Sequence, residues 1–297
     1  MMNLKLLHLK VLQKVPLLMG KHRTMLLKLY IVSGLLFANV VSTQAETVSS
    51  EPFFQGSLIV GKTKPENTVT LNGNKIKVSK QGDYALGFSR DEKNNSELLI
   101  ISPSGETEKR LLKPLKRNYN IQRVNGISKK IMNPNKKAIS RVGEDNKKIR
   151  AARQVDSDLT AFSQGFIAPI DGIITGVYGS QRYYNGVPKT PHYGLDYAGK
   201  KGDPVKSPAD GKILMYVADM FYSGGTMIID HGHGVTSTFL HLSDSYVKEG
   251  DDVKQGELIA AVGASGRATG PHLDWRVNWF NMRLDPALVL KLKPSNL

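Results

Sequence analysis

Between Phe166 and about Asp285 the chain places its apolar residues in short runs cut by glycine turns, with little helical periodicity before Pro286. Residues 172–176, 203–207, 211–217, 226–230, 235–240 and 257–262 have the length and β-branched content of strands. A chain patterned this way buries its apolar side chains by forming a sheet, so the fold class is mainly β. Residues 286–293 are the one stretch here with a helical period.

Within this region residues 263–275 are the most informative. A flexible Gly/Ser/Thr segment runs into a short alternating strand that carries His272 and Asp274. Residues i and i+2 of a strand share a face, so these two side chains reach into one pocket while Leu273 and Trp275 face the other way. His192 and Asp196 form a second pair upstream, and His241 lies between the pairs in Phe239-Leu-His-Leu-Ser243. Together the five residues read as one mononuclear zinc site. The chain has no cysteine, so disulfides and thiolate sites are excluded and a metal must sit on imidazole and carboxylate groups. A hydrolytic zinc takes three such ligands and keeps a position for water. His192, Asp196 and Asp274 can supply those ligands, leaving His241 and His272 to orient and deprotonate water beside an attacked amide. His231 and His233 mimic a metal pair but lie in a glycine-rich Asp230-His-Gly-His-Gly234 segment, and read as turn or rim residues.

The 297 residues leave room for two small domains or for one domain with extensions. Lys21, Arg23 and Lys28 precede a mostly apolar run over residues 29–41, and Thr43-Gln44-Ala45 places small residues where a signal peptidase reads. Residues 1–45 are therefore expected to be a signal peptide, with an uncleaved membrane anchor as the alternative and Met1, Met19 and Met25 as start positions. The expected location is the periplasm or cell envelope. These residues hold six Lys or Arg and no acid, so their removal takes the formal charge from +15 to +9. An exported chain of that charge is drawn to anionic envelope polymers or a membrane surface. Nucleic acid is not expected as a partner, because export and the lack of a recognisable binding module oppose it.

Residues 50–110 carry five short strand-like runs separated by turn residues, among them Asn72-Gly73, a hairpin signal. They read as a small β-sandwich-like domain with no titratable cluster, a spacer or docking unit. From 109 to 153 fifteen Lys or Arg stand against Glu144 and Asp145 alone. Residues 111–160 are thus a basic linker, partly helical from a cap at Asn133, with Pro134 in the first helical position, to about Arg153. Either it binds anionic polymer or it is a solvated connector.

Four landmarks of the last domain, residues 161–297, occur together and in order: His192-Tyr-Gly-Leu-Asp196, Val205-Lys-Ser-Pro-Ala-Asp-Gly211, Phe239-Leu-His-Leu-Ser243, and the stretch from Gly263 through His272. Residues 247–256 add the turn before the last core strand. Over about residues 165–290 the chain resembles the lysostaphin-like (LytM-type) zinc metallopeptidases that cut peptide bonds of bacterial peptidoglycan. The resemblance implies an antiparallel β-sheet domain with a zinc ion on the floor of a narrow groove. It also implies His192 and Asp196 as zinc ligands, His241 and His272 as catalytic histidines, and peptidoglycan as substrate. The family ends its last motif in His-x-His, and its second histidine is the third ligand; here Asp274 stands in that place. A carboxylate is a competent zinc ligand but shifts preference towards harder ions such as manganese. The rival implication is a catalytically degenerate domain that binds peptidoglycan or activates another cell-wall hydrolase.

Overall fold

The computed structural model describes residues 47–48, 52–126 and 135–292. The expected signal segment and the expected helix start at Asn133-Pro134 lie outside them. Among the described residues no helix is long and apolar enough to cross a membrane.

The glycine-cut runs of the C-terminal half become one antiparallel sheet. Its strands stand in the order Asp252–Val253, Gly211–Met220, Gly224–Gly232, Val235–Leu242, His272–Trp279, Leu195–Ala198 and Ile174–Gly176, and Met282–Leu284 folds back on the His272–Trp279 strand. Alternation sorts the two faces. Leu273, Trp275 and Val277 join Phe239, Met227 and Ile229 in the main core, all fully buried. Full burial of side chains this size is worth about 1.5–3 kcal/mol each. The opposite face carries His272, Asp274, Arg276 and Asn278, whose polar groups would be costly inside that core. A second small sheet of Pro204–Lys206, Leu258–Ala261 and Asp244–Ser245 closes the apolar side with Val205, Ile259 and Ala260.

Upstream, Asn72 and Gly73 turn with φ of 50° and 78°, the left-handed pair that a tight hairpin between Thr68–Leu71 and Asn74–Ile76 requires. Ser96–Ile101 and Thr107–Leu112 extend this sheet, while Leu58–Lys62 pairs with Asp83–Gly87 as a separate ribbon. The ribbon lies between two cores. Ile59, Tyr84 and Leu86 pack with Val69, Leu98, Ile100 and Leu112, whereas Leu58, Val60 and Ala85 join the main core. Trp279 touches both cores, and Arg117 adds an ion pair to the buried Asp285 at 2.6 Å.

The basic segment forms a helix over Lys136–Arg153. Its cap is Asn135, not Asn133: the Asn135 side chain accepts a hydrogen bond from the Ala138 amide at 2.9 Å, three residues on, as an N-cap must. Ile149 and Ala152 pack on Met215, Met220 and Ile228. Arg141 pairs with Asp219 at 2.7 Å, and Asp145 accepts from the Phe221 amide at 2.8 Å. Arg153 is buried and donates to Thr238, whose cross-strand partner is Arg276. The helix therefore rests on the polar face of the large sheet, with Lys136, Lys137, Lys147, Lys148 and Arg150 exposed.

Candidate metal centre

His192, Asp196 and Asp274 converge, with one ligand atom of each lying within 4.8 Å of the others. Asp196 and Asp274 are cross-strand partners on Leu195–Ala198 and His272–Trp279, so the sheet register alone sets one carboxylate against the other. His192 sits in the turn just before the first of these strands. It is fixed there because its amide donates to the Ser180 carbonyl at 2.9 Å and its carbonyl accepts from Gly179 at 2.7 Å.

Two atoms of this cluster are buried without a hydrogen-bond partner, although the other oxygen of Asp196 lies 3.7 Å from the Arg182 guanidinium. His192 Nε2 and Asp196 Oδ1 lie 3.2 Å apart without hydrogen-bond geometry, and neither finds another donor or acceptor. A buried imidazole nitrogen and carboxylate oxygen left this way carry a desolvation cost that a cation between them removes. The third group differs. Asp274 accepts from Arg276 at both oxygens, Nε to Oδ1 at 2.9 Å and Nη2 to Oδ2 at 2.5 Å. Burial pushes its carboxyl up, but the charge and hydrogen bonds of Arg276 outweigh that and hold it well below the usual carboxylate range. A carboxylate has about four acceptor sites, so the fork of Arg276 leaves lone pairs for a metal. One imidazole and two carboxylates make a donor set that fits a divalent ion of the zinc type.

His241 and His272 flank this cluster with ring centroids 4.7 Å apart. His241 Nδ1 donates to the Ser265 carbonyl at 2.8 Å and His272 Nδ1 to the Gly270 carbonyl at 2.8 Å. A carbonyl accepts only, so in each neutral ring the proton is on Nδ1 and Nε2 keeps its lone pair. Burial lowers the His241 pKa from its ordinary value, against the opposing pull of the Ser265 carbonyl. The ring is thus a neutral base at neutral pH.

Strand alternation does not account for the direction of His241. Phe239 and Leu242 both enter the main core, so the alternation breaks between them. The break is His241 itself, at φ 65°, a left-handed conformation that costs a non-glycine residue about 1–2 kcal/mol. The 263–275 segment holds it. Ser265 Oγ accepts from the Gly225 amide at 2.8 Å and donates to the Leu242 carbonyl at 2.9 Å, so this stretch is tied to the sheet and not the flexible lead-in that its composition suggests.

His231 and His233 belong elsewhere. Neither is a rim residue: their exposures are 0% and 3%. His233 does occupy a turn, with φ 50°, but His231 is in the Gly224–Gly232 strand, held by Asp210 and Ser237. Three residues bearing on the cluster escape a reading by motif. Arg276 continues the same alternation that pairs His272 with Asp274. A Cβ on Gly194 would run into Asp274 Oδ1 and Arg276, and one on Gly176 would run into the Asp196 carboxylate.

Residues 190–286 match the family described as Peptidase family M23. Over 95 residues the chain is 42% identical to the peptidoglycan DD-endopeptidase ShyB of Vibrio cholerae, a stretch covering 32% of this chain and 22% of that protein. Over 104 residues it is 39% identical to the DD-carboxypeptidase/endopeptidase Mpg of Neisseria meningitidis, covering 35% and 24%. The matched part is thus about a fifth to a quarter of these relatives' length. A solved structure of a Pseudomonas aeruginosa protein assigned to peptidase M23 aligns with a TM-score of 0.63 at 26% identity, over 81% of this chain and 96% of that one.

Proposed function

Through residues 190–286 the chain belongs to peptidase family M23, and from that premise we propose that it is a zinc-dependent endopeptidase that hydrolyses peptide cross-links of bacterial peptidoglycan. The observation that carries this reading is the pair of orphaned buried atoms, His192 Nε2 and Asp196 Oδ1, facing each other beside Asp274 and two histidines. His192, Asp196 and Asp274 would hold the ion. When bound, a divalent ion supplies Lewis acidity towards the scissile carbonyl and draws a nucleophile from water at neutral pH.

The chain's own residues divide the remaining work. His241 takes the proton of the attacking water at Nε2, its Nδ1–H anchored on Ser265. His272, close enough to share the same substrate atom, orients that water. Once it carries that proton at Nε2, His241 can donate to the charge on the carbonyl oxygen and pass the proton to the leaving amine. An amide needs both nucleophile activation and charge stabilisation, and two histidines supply both. The exposed cations of the Lys136–Arg153 helix support contact with anionic envelope polymers or a membrane surface. A polymeric wall substrate in turn places the protein in the cell envelope, outside the cytoplasm.

One observation favours a second reading. Arg276 occupies both oxygens of Asp274; if that pair never yields to a metal, the domain binds the wall or activates another hydrolase without cutting. Digestion of purified sacculi by the intact protein with added zinc separates the two. Conversion of cross-linked dimers to monomers, abolished by EDTA and by His192→Ala, is the expected result. No released product with zinc or manganese would sink the peptidase reading.

A further inference from the structure

Directly opposed carboxylates repel one another, and Asp196 and Asp274 are opposed by sheet register in a largely buried place. The cation that answers Asp274 is not left to chance. Arg276 lies two residues on, on the same face, and grips the carboxylate at two points with the planar fork that favours this geometry. Gly194 presses backbone against both partners, since a Cβ there would collide with Asp274 Oδ1 and the Arg276 stem. Arg276 therefore takes one edge of the carboxylate while the remaining lone pairs stay with the cluster formed by His192 and Asp196.

The charges follow simply. The two carboxylates alone would fully neutralise a divalent ion; Arg276, paired with Asp274, restores one unit of positive charge, and Arg182 lies farther out, 3.7 Å from Asp196 Oδ2. We infer that Arg276 is a positioning residue of the metal centre, which fixes the direction of Asp274 and cancels its charge so that the Asp274–Arg276 dyad serves as a neutral third ligand. This inference rests on the metallopeptidase reading. It explains how a carboxylate can occupy this place without adding net charge to the centre.

The test is zinc affinity of the full-length protein at neutral pH, by competition with a chromogenic chelator, with thermal melting in EDTA as the control for folding. Arg276→Met should weaken zinc binding on the order of 10- to 100-fold, the range for loss of a group that orients a ligand. In an Asp274→His background, where the ligand is neutral already, adding Arg276→Met should change zinc affinity by no more than about twofold, because the two residues act as one unit. Zinc binding by Arg276→Met as tight as wild type, or tighter, would overturn the inference, because Arg276 would then be a bystander or a competitor. So would a tenfold or greater loss that persists in the Asp274→His background, since Arg276 would then act through the fold. A wild-type protein that takes up no zinc would overturn the metallopeptidase reading itself, and this inference with it.

Discussion

Two histidines, His231 and His241, lie in neighbouring strands of the same sheet, and they have opposite fates. His231 is fully buried with both nitrogens engaged: Nδ1 donates to the Asp210 carbonyl at 2.7 Å, and Nε2 accepts from Ser237 Oγ at 2.9 Å. Ser237 in turn accepts from Trp275 Nε1 at 3.2 Å, tying the ring into the core. His241 is buried almost as deeply but spends only Nδ1, on Ser265. Burial therefore does not separate a structural histidine from a chemical one. Between these two the second nitrogen does: it is satisfied by the protein in His231 and left with a free lone pair in His241. His192 extends the point, since its Nε2 is buried and has no partner at all.

Substitutions on either side can break this contrast. The largest effect is expected at His192, where alanine removes a ligand; zinc uptake and release of cross-linked peptides should both fall to background, read by metal analysis and muropeptide mass spectrometry. His241→Ala should lower kcat/KM on the order of 10²- to 10⁴-fold, the worth of a general base, while zinc affinity stays near wild type. A matching loss of metal would show that His241 is a ligand and not a base.

His231 should show the reverse, stability without chemistry. Burial pushes its pKa down to about 4, whereas the unfolded chain protonates near 6.5. Between those values the unfolded state binds more protons, so the stability contribution is complete above about pH 6.5 and is lost as pH falls towards 4, by about 3 kcal/mol. Urea melts across that range should show the slope in wild type and lose it in His231→Gln, with zinc affinity unchanged. The smallest effect is expected at Ser265→Ala. It deletes two hydroxyl hydrogen bonds but keeps the carbonyl that accepts from His241, so stability should drop by about 1 kcal/mol and kcat modestly, with KM unaltered. A kcat loss as large as that of His241→Ala would mean that the hydroxyl itself touches the reaction.

The sheet and much of the cluster are legible in the sequence because a period of two is a strong statement about faces. His272, Asp274, Leu273 and Trp275 fall as alternation requires, and the helical period beginning at Pro286 appears as a short helix over Pro286–Val289. What pattern cannot show is a residue that breaks it. His241 is marked by type and spacing, yet its direction depends on one left-handed dihedral angle held by a loop from elsewhere in the chain. Arg276 was within reach, since it continues the alternation of His272 and Asp274, but an arginine on a polar face has many uses and pattern does not choose among them. The docking of the Lys136–Arg153 helix was hidden for a different reason. Its anchors, Asp145 and Arg153, are charged residues that composition assigns to solvent.

The register that opposes Asp196 to Asp274 also governs when the centre can exist. One carboxylate comes from near the start of the peptidase domain and the other from its last long strand, so no continuous piece of chain short of both contains a complete ligand set. During synthesis a growing polypeptide that has not yet reached His272 lacks both the proposed third ligand, Asp274, and the proposed second catalytic imidazole. Pairing strands so far apart in sequence is also among the slower events of folding, because the intervening chain must be closed into a loop first. On the proposed reading, the centre therefore stays incomplete on the ribosome and through any unfolded passage, until the His272–Trp279 strand is in place.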